Sequence, residues 1–290
     1  MDGPVNRNLQ GGPIAGLRTG RRRRIVFQSG TGGDMAASRR ASLLRGALDR
    51  IGAATSLRAA ETALDGFAAG LGMPTMAWAP DVASPRFDAR MDGFMRRHGW
   101  PAEVLSLWWD QHVMLNSPLY IRCRFEHLPF AWVVSDTEYF LSAQLRWIQG
   151  EMVSMGLKAG ITVAILLPRA RIAMLTWLGS QAPEAARALV AEAGAEMIMA
   201  AHLFMRVHDR ERGLAAATPE DFSRLTPREW DCLRLVAQGH HDDEVASLTG
   251  LARTTVRYHL KNVMRKLGAT NRVQAAVIAA QLGLIGPVGR

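Results

Sequence analysis

Four cations stand at intervals of four residues near the carboxyl end of this 290-residue chain: Arg253, Arg257, Lys261 and Arg265. On an α-helix, residues four apart lie one above another, so these side chains form a single positive stripe. Val256, Leu260, Val263 and Leu267, spaced i, i+4, i+7, i+11, mark a second stripe that is apolar and must face a core. Thr254 and Thr255 sit in the first turn of the same segment, where hydroxyls and free backbone N–H groups meet phosphate. The chemistry of such a surface is the binding of a polyanion rather than bond making. Catalytic arrangements do not compete with it. The chain has no H-E-x-x-H, no G-x-S-x-G, no Walker loop and no paired-cysteine metal spacing. His98, His112, His127, His202, His208, His240, His241 and His259 are scattered. We therefore expect no catalytic residue, no metal and no cofactor, beyond a small-molecule signal ligand argued below.

Several elements must hold that helix in place. Thr226 caps a preceding helix, Pro227 suits its first position, and Glu229 completes a capping box three residues on. This helix runs to Gln238, and Gly239 stops it. Asp242 or Asp243 is then expected to cap a short helix through Leu248, followed by the turn Thr249-Gly250-Leu251. The cationic helix spans Arg253 to Leu267, stopped by Gly268, and Asn271 starts a fourth that ends near Leu282. A short helix, a glycine-bearing turn and an amphipathic helix with a basic face make a helix-turn-helix, whose second helix enters the DNA major groove.

The charge distribution agrees. The net charge is +9, and from Val245 to the end there are cations but no acidic residue. A second concentration lies in residues 1–37, where Arg7, Arg18 and Arg21 to Arg24 stand among Gly, Asn, Gln and Ser, a composition expected to be a disordered basic leader. Met35 would serve as an alternative start. The Gly-Thr-Gly-Gly run at 30–33 fails as a phosphate loop, because Met35 stands where G-x-G-x-x-G needs glycine. With 48% apolar and 21% charged residues, a chain of this length is expected to form two domains that each bury a core. No apolar run of membrane-spanning length is uninterrupted by charge or proline, so no membrane partner is expected. Two cysteines, Cys123 and Cys232, are too few for a disulfide framework, and the start lacks a secretory pattern, which fits a reducing cytoplasm. Cys123 reads as a buried packing residue.

Residues 225–286 resemble the LuxR-type helix-turn-helix domain without a gap, from Leu225-Thr226-Pro227-Arg228-Glu229 to Leu284-Ile285. The family's Glu, Leu and Gly landmarks fall on Glu229, Leu233 and Gly239, and Thr255-Val256 and His259-Leu260 fall in its recognition helix. The resemblance implies a dimer contact from the fourth helix. It implies Arg253, Thr254, Thr255, Arg257, Lys261 and Arg265 as DNA contacts. Two departures stand out: Ala252 occupies the recognition-helix cap, and Asp242-Asp243 stand where polar or basic residues usually approach a phosphate.

Between residues 38 and 206 the pattern mixes helices (38–53, 56–71, 137–156, 183–206) with β-type runs (75–79, 130–135, 160–168, 171–179). The last two runs read as an antiparallel hairpin, and helices on both faces of a small sheet follow, an α-β-α sandwich in the α/β class. The charged and alanine-rich stretch 207–224 reads as a linker. A phosphoacceptor domain would need an acidic pair after its first strand and a further Asp and Lys at strand ends, and none is so placed. The domain instead resembles the autoinducer-binding domain, on Trp100-Pro101, Ser117-Pro118, Leu128-Pro129, Trp132 and the run Gly156 to Val163. That family binds acyl-homoserine lactones between sheet and helices. By this resemblance Trp100, Val104, Trp108, Ser117, Trp132 and Thr176 are the ligand-site residues, with Trp177 beside them. The family's Trp that donates to the lactone carbonyl is replaced by Val104, and its Asp that accepts the ligand amide by Ser117. Losing a charge-assisted bond removes about 1.5–3 kcal/mol and stranding a carbonyl about 1–3 more, roughly a hundredfold or greater in affinity.

The expectation is a homodimeric regulator of quorum-sensing type. It would read an inverted-repeat promoter site in double-stranded DNA, engage RNA polymerase, and sense a small apolar molecule other than an ordinary acyl-homoserine lactone. The alternatives are an interaction protein that forms inactive heterodimers with a related regulator, and a ligand-independent regulator.

Overall fold

The computed structural model describes residues 31–213 and 225–285. The first stretch contains α1 (Thr31–Ala53), α2 (Leu57–Leu71), β1 (Thr75–Ala79), α3 (Ala89–Arg97), α4 (Ala102–Trp108), α5 (Gln111–Leu115), α6 (Pro118–Arg122), β2 (Phe130–Val133), α7 (Ala143–Ser154), β3 (Ala159–Leu167), β4 (Arg171–Gly179) and α8 (Pro183–Glu211). The second contains α9 (Pro227–Ala237), α10 (Asp242–Thr249), α11 (Arg253–Leu267) and α12 (Arg272–Gln281).

The strands form one antiparallel sheet in the order β1-β4-β3-β2. Directly opposed residues in such a sheet point to one side, and both sides are covered. On one side Trp177 meets Phe67 of α2 at 5.7 Å between ring centroids, and Trp78 meets Phe204 of α8 at 5.3 Å. On the other, the aligned rows Ala77–Thr176–Thr162–Phe130 and Leu178–Gly160–Trp132 face α4 to α7. The expected α-β-α sandwich and its β3–β4 hairpin are present.

Several boundaries differ from the sequence reading, each for a physical reason. Helix begins at Thr31, inside the expected leader; residues 1–30 lie outside the described residues. Helix α8 continues to Glu211, five residues into the expected linker. Its charged end is not a solvated run: Asp209 pairs with Arg171, Arg210 donates to the Ala54 carbonyl, and Glu211 accepts from the Leu57 amide. The remainder of that linker, 214–224, is outside the described residues. Helix α7 starts at Ala143 rather than near 137, because Ser142 accepts the Leu145 amide and sets the cap there. No period marks residues 89–122 in the sequence, yet four short helices occupy them, announced by Asp88 and Asp110 as caps and Pro118 at a first position.

One further expectation needs correction. Helix α8 does have the length and hydropathy to cross a bilayer. In this fold its apolar residues serve the core instead, with Leu189, Met197, Ala200 and Phe204 buried. The helix breaks at Ala193 (φ −128°, ψ 17°), beside Gly194, which lets it bend.

The second stretch has its own cores. Leu233, Val263, Ala275 and Ala279 form one cluster, and Cys232, Val245, Val256 and Leu260 another. The apolar stripe of α11 therefore faces both, as its spacing requires.

Candidate nucleic-acid interface and ligand cavity

The capping box of α9 forms as read: Glu229 N donates to Thr226 Oγ1 at 3.3 Å and Thr226 N to Glu229 Oε2 at 2.7 Å. Lys266 Nζ reaches the same carboxylate at 2.6 Å, tying α11 to the start of α9. Burial disfavours charge on Glu229, but the bonds from Lys266 and Thr226 outweigh it and hold the carboxyl below its ordinary range. Gly250, at φ 68°, makes the left-handed turn between α10 and α11 that a side chain would strain. Ala252 takes the α11 cap without a side-chain bond, which leaves first-turn N–H groups available.

Arg253, Thr254, Arg257, Lys261 and Arg265 are all exposed and Thr255 is half-buried, so the cationic stripe lies on the surface. Tyr258, 63% exposed, joins them and was missed in the sequence reading. Its i+4 spacing from Thr254 is the signal that could have found it. The cap of α10 is His241, whose amide donates to Glu244 at 2.8 Å, rather than Asp242 or Asp243. Those aspartates are left in the first turn and reach the recognition helix. Asp242 accepts from Arg257 at 3.0 Å and from Arg272 at 3.1 Å, and Asp243 pairs with Arg253 at 3.2 Å. Two arginines named for DNA thus already hold carboxylates, in exposed pairs that contribute about 0–1 kcal/mol and weaken with salt.

The sheet side facing α4 to α7 encloses a cavity of about 50 Å³, against the roughly 300–1,000 Å³ of ordinary ligand sites. Of the residues expected at a ligand site, Trp100, Trp108, Ser117, Trp132 and Thr176 line this cavity. Two residues are corrected. Val104 is fully buried but does not line the cavity, an isopropyl group ending short of the space an indole would reach. Trp177 lies on the opposite sheet side, because residues alternate along a strand. Trp132 lies flat across Gly160, where an added Cβ would come within 2.4 Å of its ring. Its indole donates to Thr162 Oγ1 at 3.0 Å, and that hydroxyl meets Thr176 Oγ1 at 2.9 Å. Trp100 donates to the Met76 carbonyl at 2.7 Å. Three of the expected ligand groups are therefore engaged within the protein. The Trp108 indole N–H is buried without a partner, and Ser117 makes no capping bond. Met114, Met152 and Met174, unbranched and adaptable, fill much of the remaining wall. Cys123 is 2% exposed, and burial pushes its thiol up to about 12, which leaves it inert.

The chain matches two family models: the autoinducer binding domain over residues 56–207, and bacterial regulatory proteins, luxR family, over residues 223–279. It is 28% identical to the transcriptional activator BjaR1 of Bradyrhizobium diazoefficiens over 204 residues, covering 70% of this chain and 81% of that protein. It is 27% identical to y4qH of Sinorhizobium fredii, named as an HTH-type transcriptional regulator, covering 64% of this chain and 54% of that one. Over 63 residues it is 48% identical to the quorum sensing-dependent regulator VjbR of Brucella ovis, covering 22% of this chain and 24% of that protein. The chain thus spans about half of y4qH and about a quarter of VjbR. Among solved structures, Escherichia coli SdiA superposes with a TM-score of 0.53 at 21% identity, covering 85% of this chain and 99% of that one. SdiA in complex with octanoyl-rac-glycerol gives 0.54 at 22% identity, with 84% and 95% covered. At these identities the structures speak for the fold alone.

Proposed function

The chain belongs to the LuxR family of bacterial regulators, a family of transcription regulators rather than enzymes, and from that premise we propose that it is a homodimeric, quorum-sensing-type regulator of the cytoplasm that binds an inverted-repeat promoter site through α11. The observation that carries the reading is the exposed stripe Arg253, Arg257, Lys261 and Arg265 on a helix whose opposite stripe is buried. Thr254, Thr255 and Tyr258 add hydroxyls at its start and middle. Helix α12 supplies the dimer contact, with Val273 and Val277 exposed on it, and RNA polymerase is the partner that activation requires.

The sensor half binds a small apolar molecule other than an ordinary acyl-homoserine lactone. Trp100 and Trp132 already have partners for their indole donors, Val104 offers no donor, and Ser117 offers a hydroxyl where a carboxylate would bind an amide more strongly. Octanoyl-rac-glycerol, the ligand named with SdiA, is an acylated molecule without a lactone, and that precedent in a protein of like fold supports the reading.

Mobility-shift titrations of the full chain against promoter DNA over a range of salt test the DNA half. The double variant Arg257→Ala, Lys261→Ala should bind more weakly and with a shallower salt slope; parental binding across salt would end the reading. Mass spectrometry of molecules retained by protein from its native cell tests the sensor half, and nanomolar retention of an acyl-homoserine lactone would refute it. A second reading, an inactive heterodimer partner, is favoured by the aspartates already pairing with Arg253 and Arg257. Co-purification with a related regulator, and no retention of DNA, would select it.

A further inference from the structure

Helix α7 lies between two different surroundings. Leu145, Ile148 and Met152 are buried and line the closed cavity, which turns the opposite side of the helix outward. Ala143, Trp147, Gly150 and Ser154, spaced i, i+4, i+7, i+11, run down that outward side and are all exposed. Trp147 is 41% exposed, and Val153 on its flank 54%. An indole at the surface leaves a large apolar area in water, and tryptophan is enriched among the residues that anchor protein contacts. The small residues on the same line let a second backbone come close. An added Cβ at Gly150 would meet nothing within 4 Å.

The charges beside this line say what the second backbone is. Arg146 stands on one flank and Glu151 on the other, five residues further along. Neither makes an ion pair among the described residues, and Arg146 donates to the Leu141 carbonyl at 2.8 Å. When two helices pack parallel across a two-fold axis, opposite flanks meet, and a residue on one helix faces the residue five further along the other. Arg146 of each copy then faces Glu151 of the other, twice by symmetry. In an antiparallel pair like flanks meet, and these charges never face each other. The surface is therefore complementary to itself in one orientation.

We propose that this face of α7 docks on a second copy of the chain, helix parallel to helix, with the two Trp147 rings packed together and an Arg146–Glu151 pair closing each edge. The proposal rests on the homodimer reading above and deepens it by saying where the sensor halves meet. A helix of 12 residues is about 18 Å long, too short to make a standard interface alone, so this contact acts together with that of α12.

Sedimentation of the full chain over a range of concentrations should give a dimer whose dissociation constant rises about tenfold or more in Trp147→Ala. Arg146→Glu and Glu151→Arg should each raise it several-fold, and the two together should restore it, because the exchanged charges attract again. Gly150→Cys should form a disulfide-linked dimer on mild oxidation, while Ser84→Cys, exposed in the loop after β1, should not. Cys123 and Cys232 are buried and stay out of the reaction. A dimer that ignores Trp147→Ala and both charge reversals, or that gives no Gly150→Cys link above the Ser84→Cys level, overturns the proposal and leaves the homodimer reading standing. A chain that stays monomeric overturns both.

Discussion

At the level of single residues, Asp242 and Gly160 are the most informative positions. Asp242 sits one residue past the α10 cap and holds both Arg257 and Arg272. If Arg257 meets DNA as proposed, a carboxylate there would compete with phosphate for the same guanidinium and add a negative charge near the duplex. Asp242→Asn should therefore raise DNA affinity several-fold and steepen its salt dependence, read by mobility shift at two ionic strengths. An unchanged slope would show that Arg257 does not meet phosphate. Gly160 is held to glycine by the Trp132 ring rather than by its own backbone angles. Gly160→Ala must push the indole off Thr162, so near-ultraviolet dichroism should change and the melting temperature should fall. Much of this was legible in the sequence. The basic stripe could be read directly because helical spacing alone determines it. Val104 and Trp177 could not, since which side chains reach a cavity depends on strand register and on packing across the sheet.

At the level of elements, the capping box of α9 does more than end a helix. Thr226→Ala should destabilise the carboxyl-terminal unit by about 1 kcal/mol, measured by its thermal or urea transition. Glu229 joins that cap to Lys266 on α11, and its carboxyl is held below the ordinary range of about 4.3. A group with a lowered folded-state pKa contributes stability above its unfolded value and loses it as pH falls through the folded one. The unit should therefore be at full strength near neutrality and weaken on acidification below that ordinary value, and Glu229→Gln should flatten this acid limb. Local signals made these helices readable. The four short helices between Asp88 and Arg122 were less so, because each is about one or two turns long and too brief to display a period. The end of α8 is illegible in sequence for the opposite reason. A run of alternating charges looks solvated until the fold brings Arg171, Ala54 and Leu57 beside it.

At the level of the whole molecule, the core around the sheet shares no residue with the two small clusters of residues 225–285. Calorimetry of the full chain should accordingly resolve two transitions, and Thr226→Ala should shift only one of them. A single transition unaffected in shape by that change would mean that the units stabilise each other. The α/β class and the helix-turn-helix were both readable from pattern, since apolar periodicity carries the class of a fold. The size of the ligand cavity was not, because volume is what remains after every neighbouring side chain has been placed.

The last turn of α8 has a practical corollary. Arg210 and Glu211 fasten it to the corner between α1 and α2, and Arg212 joins Asp88, before the chain reaches Gly213. A chimera that exchanges DNA-reading heads between relatives should therefore be spliced after Gly213. A junction upstream of Arg210 would cut the staples that moor the helix, and the graft would inherit a loosened sensor whatever head it received.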